Sequence, residues 1–536
     1  MKAIRSAGRV MLRMTPLASC LAMSLAMAGV ASQAWAVAPH PVASRDVPAD
    51  FRVAPSVRDS WLHEPIDRKA QEDHWRAIIQ RPIPALPLAT IPVTNCNDSG
   101  GGSLRDAVNN ANSGDTIDLT DTGCSTITLT TGAIAVTQAD LTLQGPGSAS
   151  LAIDADHADI ALLHTGGGTL DINDLTVKNG TKYFTDAQVD AARGGCIFSS
   201  GYVSLTNSEV KYCEASSSST HYGVYGGAIY AQNGVTLSSS SVLDSSAHST
   251  GFMVKGAGIS TAGSVTLLDS FIGGNDAYSD TTWSIGGGVY ANTGLTVKYS
   301  VIDGNSAYSG ANSRGGGLYS HGNLTIENST IRGNSSRIGG AVFTLGQYAT
   351  SDLTVVNSTI SGNHAVATGG LDIEDYPARI ANSTIAFNDE AFFETYGAGL
   401  FVFETNVELE STIISNNYNV YGGTTTEDDV ATTRNVAYQG TLSGSHNLIT
   451  LSSMTVPSDT IEGKYANLGL LTYNGGSTAT HKLMTFSPAV DAGSNAGSVN
   501  YDQRGDGFPR VIGANADIGA YELNTADEIF SDGLDF

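Results

Sequence analysis

The sequence has few charges, few aromatic side chains and no long apolar run in its body. Of its 536 residues, 15% are charged and 7% are aromatic. After residue 36 no stretch approaches the roughly 18 consecutive apolar residues of a membrane helix. The mature chain is therefore predicted to have no transmembrane segment. A Gly-rich phosphate loop and a Ser-His-Asp arrangement are also missing, which argues against nucleotide-dependent and serine-hydrolase chemistry.

Basic residues are especially scarce. The formal net charge is −25, from 27 Lys and Arg against 52 Asp and Glu. The first 90 residues carry 11 basic and 7 acidic side chains, so the remainder carries 16 basic and 45 acidic ones. Such a body repels nucleic acid and anionic lipid. No nucleic-acid partner and no cofactor are predicted, and Ca²⁺ is the one cation that the acidic surface would suit.

Cysteines are few, and none has the CxxC spacing of a structural zinc site, so no metal site is predicted. Of the five cysteines, Cys20 lies in the N-terminal apolar segment, which leaves Cys96, Cys124, Cys196 and Cys213. An even number in an exported chain favours two disulfides. Nearest-neighbour pairing, Cys96 with Cys124 and Cys196 with Cys213, is one of three connectivities.

The N-terminus has the pattern of a secretory signal peptide. Four basic residues precede an apolar core at 17–30, and Ala34-Trp35-Ala36 provides a small-x-small cleavage site. Residues 1–36 are therefore predicted to be removed, and the proline-spotted residues 37–90 are interpreted as a leader arm or linker. An exported chain is expected to be extracellular, or associated with the outer membrane or cell surface.

Glycine pairs recur at a regular spacing through residues 194–417. The leading glycines are separated by 32, 30, 30, 29, 24, 30 and 28 residues. Half a period later, Ile-x-Gly-Asn motifs end at Asn275, Asn305, Asn334 and Asn363. A fixed period of this length is typical of a solenoid. The leading glycines are Gly194, Gly226, Gly256, Gly286, Gly315, Gly339, Gly369 and Gly397.

Short segments between these motifs alternate apolar and polar residues, as in Val265-Thr266-Leu267. About three such strands per repeat and no helical stretch predict an all-β, right-handed parallel β-helix. Ser103 and Asp106 form a capping-box pattern that predicts a short N-terminal helix covering the first coil. The predicted organisation is a cap with the first coils at 91–180 and repeat coils at 181–440.

The glycine pairs and Ile-x-Gly-Asn motifs resemble the repeats of polymorphic outer-membrane protein passengers. Residues 441–522 resemble the choice-of-anchor Q region that closes many secreted bacterial β-helix proteins. Only the acidic tail 523–536 follows, so the sequence predicts no translocator barrel of many ten-residue strands. The tail is either a sorting signal or a frayed end. The motifs that carry the second resemblance are Asn-Gly-Gly-Ser-Thr-Ala-Thr-His at 474–481, Ser-Pro-Ala-Val-Asp-Ala-Gly at 487–493, Asp-Gln-Arg-Gly at 502–505 and Asp-Ile-Gly-Ala-Tyr-Glu at 517–522.

The first functional hypothesis is a surface-associated scaffold or adhesin without enzymatic activity. The segments before the glycine pairs are predicted to be loops that such a scaffold presents for binding, and they carry aromatic residues, among them Tyr278, Trp283 and Tyr308. If the coils stack in register, these rings line one edge of the rod. Flat aromatics among Ser, Asn and Asp suit a glycan or a host or bacterial surface protein. The alternative interpretation is that these rings only pack between coils.

The rival hypothesis is a polysaccharide lyase or glycoside hydrolase, by analogy with the architecture of pectate lyases and polygalacturonases. Hydrolysis needs two carboxyl groups roughly 5–9 Å apart. Asp372 and Glu374 lie on one face of a predicted strand, about 7 Å apart. Arginines lie nearby at 314, 332, 337 and 379 for a lyase base. The alternative interpretation is that both carboxylates are solvated outward positions.

Overall fold

A computed structural model describes residues 88–187, 190–346, 351–391, 396–495 and 497–524. The predicted signal peptide, nearly all of the leader arm and the tail beyond residue 524 lie outside the described residues. Within those ranges, every helix is too short or too polar to pass through a bilayer.

The chain folds as a right-handed parallel β-solenoid of about 11 turns, which confirms the predicted fold class. Each coil passes through sheet A, then sheet B, and then sheet C. Within each sheet, the strand of one coil pairs in parallel with the equivalent strand of the next coil. Alternate side chains point inward, as in Val265 and Leu267, and the intervening Thr266 points outward. The inward residues form a continuous apolar core along the rod.

Sheets A and B each contain 13 strands. Sheet A consists of β1 (Thr90–Pro92), β2 (Thr116–Asp118), β5 (Leu141–Gln144), β8 (Thr169–Asn173), β13 (Tyr202–Thr206), β18 (Gly234–Ser238), β23 (Ser264–Leu268), β28 (Gly294–Lys298), β33 (Asn323–Glu327), β37 (Leu353–Val356), β41 (Ala378–Ala381), β45 (Asn406–Glu410) and β50 (Thr441–Ser445). Sheet B consists of β3 (Thr126–Thr128), β6 (Ala152–Asp154), β9 (Thr176–Lys178), β14 (Glu209–Lys211), β19 (Ser241–Leu243), β24 (Phe271–Gly273), β29 (Val301–Asp303), β34 (Thr330–Arg332), β38 (Thr359–Ser361), β42 (Thr384–Ala386), β46 (Ile413–Ser415), β51 (Leu448–Ile449) and β52 (Ile461–Glu462).

Sheet C has 11 strands, sheet D has 15, and a two-stranded sheet lies near the C-terminus. Sheet C consists of β4 (Ile134–Val136), β7 (Leu162–His164), β12 (Ile197–Ser199), β17 (Ile229–Ala231), β22 (Ile259–Thr261), β27 (Val289–Ala291), β32 (Leu318–Ser320), β36 (Val342–Leu345), β40 (Leu371–Glu374), β44 (Leu400–Phe403) and β49 (Val430–Thr432). Sheet D consists of β10 (Thr181–Phe184), β11 (Ala192–Arg193), β15 (Glu214–Ser217), β16 (Val224–Tyr225), β20 (Ser246–Ser249), β21 (Val254–Lys255), β25 (Asp276–Ser279), β26 (Trp283–Ile285), β30 (Ser306–Ser309), β31 (Asn312–Arg314), β35 (Ser335–Ile338), β39 (His364–Ala367), β43 (Asp389–Glu390), β47 (Tyr418–Tyr421) and β48 (Thr424–Glu427). The last sheet pairs β53 (Leu468–Thr472) with β54 (Thr480–Leu483).

The predicted N-terminal helix is α1 (Leu104–Asn110). The Ser103 hydroxyl accepts a hydrogen bond from the Asp106 backbone N–H, and the Asp106 carboxylate accepts one from the Gly102 N–H. Leu104, Ala107 and Val108 are buried against β2 and β4. The helix therefore covers the apolar end of the first coils, which would otherwise be exposed.

Both disulfides join nearest neighbours, Cys96 with Cys124 and Cys196 with Cys213. The first links the segment before α1 to the segment before β3. The second links the start of β12 to the turn after β14. The disulfide prediction is confirmed, with the pairing that the sequence left as one of three.

The Ile-x-Gly-Asn motifs form an asparagine ladder at the corner between sheets B and D. Each side-chain amide donates to the next asparagine oxygen, for example from Asn305 to Asn334 and from Asn334 to Asn363, at 2.9 Å. The same oxygens accept the backbone N–H of the preceding coil's asparagine. The ladder runs through Asn275, Asn305, Asn334, Asn363, Asn388 and Asn417, all fully buried, and ends on Asp429.

The glycine pairs lie where the chain enters sheet C. The first glycine of a pair, such as Gly315 with φ 64°, adopts the left-handed conformation. The second glycine, such as Gly316, lies so close to the next coil that a Cβ atom would collide with the carbonyl oxygens of Ser335 and Gly340. The spacing of the glycines thus reflects backbone contact between successive coils.

Five coils carry an additional structure that the sequence did not predict. The segments predicted to be loops are strands of sheet D, so each of these coils has five strands and not three. The chain runs outward along one strand and returns along a second, which makes a two-layered arm beside sheet C. Its first layer is β10, β15, β20, β25 and β30, and its second layer is β11, β16, β21, β26 and β31. Small residues such as Ala247, Ala277 and Val254 fill the space between the layers.

The arm ends abruptly after β31. The following coil is shorter and contributes the single strand β35, which pairs with β30 only at Ser306 and with β31 only at Arg314. The next coil likewise has the single strand β39. The C-terminal side of the last arm coil is therefore largely uncovered by the two coils that follow.

The coils continue beyond residue 440, because β50, β51 and β52 extend sheets A and B. The chain then turns back and covers the outer face of sheet B. Thr330 donates to the Ala479 carbonyl, and the Ala520 N–H donates to Thr384. Under this cover, the first outward residue of β34, β38 and β42 is a threonine, whereas the uncovered strand β14 carries Glu209 and Lys211.

The C-terminal motifs form a buried polar network inside this cover. Arg504 pairs with Asp502 at 2.6 Å and lies 3.8 Å from the Tyr521 ring centroid. The Asp502 carboxylate also accepts the Glu522 N–H. Gln503 donates to Thr330 and accepts from Thr359. These residues hold the segment closed and attach it to the coils, which is a structural role.

Candidate functional site

The arm has two different faces, and they separate the three aromatic residues proposed as ligand contacts. Tyr278 and Tyr308 are on the outer face of the first layer, opposite to the inward Ala277. Trp283 is on the second layer, on the side away from Ser284, whose hydroxyl donates to the Ala277 carbonyl inside the arm. The structure therefore brings Tyr278 and Tyr308 together but places Trp283 on the face toward sheet C.

A column of rings fills the corner between the second layer and sheet C. Register places Tyr290, Tyr319 and Phe343 in one row, stacked at 5.6 and 5.8 Å between centroids. Basic residues of the arm cover them: Lys255 Nζ lies 4.5 Å from the Tyr290 centroid and Arg314 lies 4.6 Å from that of Phe343. All three rings are buried, so this column joins the arm to the solenoid and is not an open binding surface.

Asp372 interrupts this column. Register places it between Phe343 and Phe401, so a carboxyl group occupies the position of an aromatic ring. Its side chain is only 2% exposed, and its Oδ1 has no hydrogen-bond partner among the described residues. Burial, followed by repulsion from Glu374, raises the pKa of Asp372 well above its ordinary value. The interpretation of Asp372 as a solvated outward position is therefore wrong.

Glu374 shares this outer face of β40 and is half-buried. Burial raises the pKa of Glu374, and Arg314 opposes the effect. The Arg314 guanidinium lies 4.8 Å from the Trp283 centroid, and its Nε is unpaired within the described ranges. The fold thus gathers Trp283, Arg314, Asp372 and Glu374 where the arm ends, and we call these four residues the acid corner.

Two further acids near the acid corner were missed from the sequence. Glu390 is fully buried and accepts hydrogen bonds from the Thr368 N–H and the Asn419 amide. Burial, together with a hydrogen bond to Asp428, raises the pKa of Glu390 to about 9. Glu390 pairs with Ala365 of the preceding coil, and the equivalent residue in most arm coils is also alanine. An alignment of the repeats would therefore show a glutamate where alanine is usual.

The Glu390–Asp428 pair is expected to make stability depend on pH. Because the folded-state pKa of Glu390 is raised, its contribution is complete near pH 4–5 and is lost as the pH rises toward about 9. In the wild type, the free energy of unfolding is expected to decrease between pH 5 and pH 9. Glu390→Gln is expected to make this decrease smaller, as measured by urea unfolding. Glu327→Gln, at the surface ion pair with Lys298, serves as the control and is expected to leave the fall unchanged.

Tyr278 and Tyr308 form a parallel stack, with ring centroids 5.4 Å apart and planes within 2°. Tyr308 is 58% exposed. His248, one coil earlier in the same row, lies 5.1 Å from the Tyr278 ring and 3.3 Å from Asp280 through its Nε2. We call His248, Tyr278, Asp280 and Tyr308 the tyrosine stack.

Within the described ranges, no group of three or more His, Cys, Asp or Glu side chains has an arrangement that could hold a metal ion. The structure therefore offers no described residue set for the Ca²⁺ that the acidic composition would suit, and the cation stays a prediction.

Comparisons with known proteins add little to what the structure shows. No family model matches the sequence, and no curated protein matches it. The resemblances to polymorphic outer-membrane protein passengers and to the choice-of-anchor Q region thus have no support from these comparisons. Among solved structures, the chain is similar to "pectate lyase Pel9A", with 13% identity over 82% of this chain and 98% of that chain, and a TM-score of 0.39. A likeness at this level does not bear on activity.

Proposed function

We propose that this protein is an exported β-helix scaffold that binds an extracellular glycan through the tyrosine stack. The observation that carries the proposal is the exposure of Tyr308 at the end of the stack. One face of its ring lies against Tyr278, whereas no described ring stacks on the other face. The next coil has only the single strand β35 there, which pairs with β30 at Ser306 alone.

A free aromatic face beside hydrogen-bonding groups is what sugar recognition requires. The C–H face of a pyranose packs on the ring, and hydroxyl groups bond to polar neighbours. Here the Asp280 carboxylate and the His248 imidazole lie at the edge of the stack. Asp276 and Ser306 lie on the same outer face. The rigid coils hold these groups in fixed positions, which lowers the entropic cost of binding.

Export is part of this proposal. The N-terminal pattern predicts a cleaved signal peptide, and two disulfides are typical of proteins that mature in an oxidising compartment. A surface-associated location and an adhesin role follow as expectations from the resemblance alone.

The test is a glycan-array screen of the mature protein, with and without Ca²⁺, followed by mass spectrometry of the probed glycans. Binding that leaves the glycans intact supports the scaffold proposal. Absence of binding to every glycan contradicts it, and a protein ligand would then have to be sought. Dependence on Ca²⁺ would test the predicted cation.

A second function, hydrolysis of an extracellular polysaccharide, is favoured by one observation: the buried carboxyl of Asp372, whose Oδ1 has no hydrogen-bond partner among the described residues. Burying such a group costs free energy unless it is compensated, and perturbed acids cluster at catalytic sites. Asp372 would act as the proton donor because its pKa is raised, and Glu374 would activate water. Backbone positions two residues apart on a strand are about 7 Å apart, so the two carboxyl groups can reach the separation of roughly 6.5–9.5 Å that inverting enzymes use.

Asp372→Asn separates this function from a purely structural role. If Asp372 is catalytic, the variant is expected to lose polysaccharide cleavage by at least about 100-fold, as is usual for loss of a general acid. It is also expected to unfold at higher urea concentration at pH 8, because the buried charge is removed. Asp171→Asn, on the outer face of sheet A, is the matched control. Stabilisation without any detectable wild-type cleavage would refute the hydrolase and leave the binding proposal intact.

A further inference from the structure

We infer that the glycan bound at the tyrosine stack carries free amino groups, so that its class is a cationic amino-sugar polymer and not a polyuronate. The inference rests on the proposed function and adds the charge of the ligand. It follows from the distribution of charged groups over the two faces of the arm.

The outer face of the arm is acidic. Glu214, Asp276 and Asp280 lie on or beside the strands that carry the stack. The negative charge of Asp280, followed by desolvation and with a smaller effect of Asp276, raises the pKa of the Tyr278 hydroxyl. A carboxylate on the ligand would meet repulsion here, whereas an ammonium group would be attracted.

The basic residues of the arm lie elsewhere. Arg193, Lys255 and Arg314 are on the second layer and cover rings in the corner with sheet C. Lys182 belongs to the first arm coil, about 14 Å along the rod from Tyr278 at a spacing of about 4.8 Å per coil, and is paired with Asp159. Arg337, in the coil after Tyr308, is half-buried.

Two histidines lie on the outer face of this sheet, and each has an acidic partner. The Nε2 of His248 lies 3.3 Å from Asp280. His364, two coils beyond Tyr308 in the row of Asp276, is paired with Asp389.

The exposed face of Tyr308 supplies the second attraction. An ammonium group above an aromatic ring is attracted to the partial negative charge on the face of that ring. An amino-sugar polymer presents both a C–H face for stacking and a cationic group for the carboxylates. A neutral sugar can use only the ring, and a uronate is repelled by Asp276 and Asp280.

The experiment measures dissociation constants for three hexasaccharides: glucosamine, N-acetylglucosamine and galacturonic acid. The glucosamine hexamer is expected to bind at least ten times more tightly than its acetylated form, with affinity falling as salt rises. Equal or tighter binding of the acetylated or uronate hexamer overturns this inference and leaves glycan binding standing. Binding of none of the three, together with a blank glycan array, contradicts the proposed function itself.

The double variant Asp276→Asn, Asp280→Asn locates the effect. It is expected to weaken binding of the glucosamine hexamer about tenfold more than binding of the acetylated hexamer, because lost hydrogen bonds to hydroxyl groups affect both ligands whereas the lost charge attraction affects only the cationic one. The control Asp121→Asn, Asp171→Asn removes the same charge from the exposed loop after β2 and from sheet A. An equal loss in the control would mean that the polycation binds the acidic surface without specificity, which also overturns the inference.

Discussion

Tyr308→Ala is expected to weaken glycan binding at least tenfold, and to leave the fold intact. The Tyr308 ring is 58% exposed, and one of its faces stacks on Tyr278. Its removal therefore eliminates the free stacking face and loses little buried area. Stacking on an aromatic side chain contributes on the order of 1–3 kcal/mol where it has been measured for nucleobases, which corresponds to roughly a 5- to 150-fold change in affinity. Isothermal titration with the best array ligand measures the loss.

The matched control is Tyr202→Ala. Tyr202 is 48% exposed but lies on sheet A, away from the arm. Its removal is expected to change the affinity by less than twofold. If Tyr202→Ala and Tyr308→Ala weaken binding equally, or if neither does, the tyrosine stack is not the binding site. Tyr308→Phe retains the stacking face and is expected to retain most of the affinity.

Asn334→Ala is expected to destabilise the solenoid by about 3–5 kcal/mol, the range for breaking a buried hydrogen-bond network. The Asn334 oxygen accepts from both the backbone and the side chain of Asn305. Its amide donates to Asn363 and to the Ile302 carbonyl. The substitution leaves these buried groups without partners in two coils, and urea unfolding followed by circular dichroism measures the change.

Asn323→Ala is the control, because Asn323 is exposed at the start of β33 on sheet A. Its effect is expected to stay within about 0.5 kcal/mol, as for ordinary surface positions. A loss below about 1 kcal/mol for Asn334→Ala would show that water replaces the missing partners. The asparagine ladder would then not be a main source of stability.

The coil repeat could be predicted because its causes are local. Gly315 needs a positive φ, and Gly316 has no room for a Cβ atom, so glycine recurs wherever the chain enters sheet C. Val265 and Leu267 alternate with outward residues at the two-residue period of a strand. Ser103 caps a short helix through a contact three residues away. Each of these patterns is visible in the sequence because the residues that interact are close in sequence or repeat at a fixed period.

The arm could not be predicted in the same way. Its strands are only two to four residues long and contain polar residues, so no long periodic pattern marks them. They form because parallel neighbours in adjacent coils pair with them, about 30 residues away in sequence. The two layers face each other through small residues such as Ala277, which carry no strand signal. The segments were therefore assigned to loops.

The sequence by itself determined a parallel β-helix with a cap, the corner asparagines and the chemical nature of the acids and rings. Only the tertiary structure decided that Trp283 and Tyr308 lie on opposite faces of an arm, and that Asp372 is buried in a row of rings. It also brought Glu390 against Asp428 and left Tyr308 at the end of its stack. The physical reason is that burial and stacking depend on which residues the next coil places alongside, and the lengths of those coils vary from 24 to 32 residues.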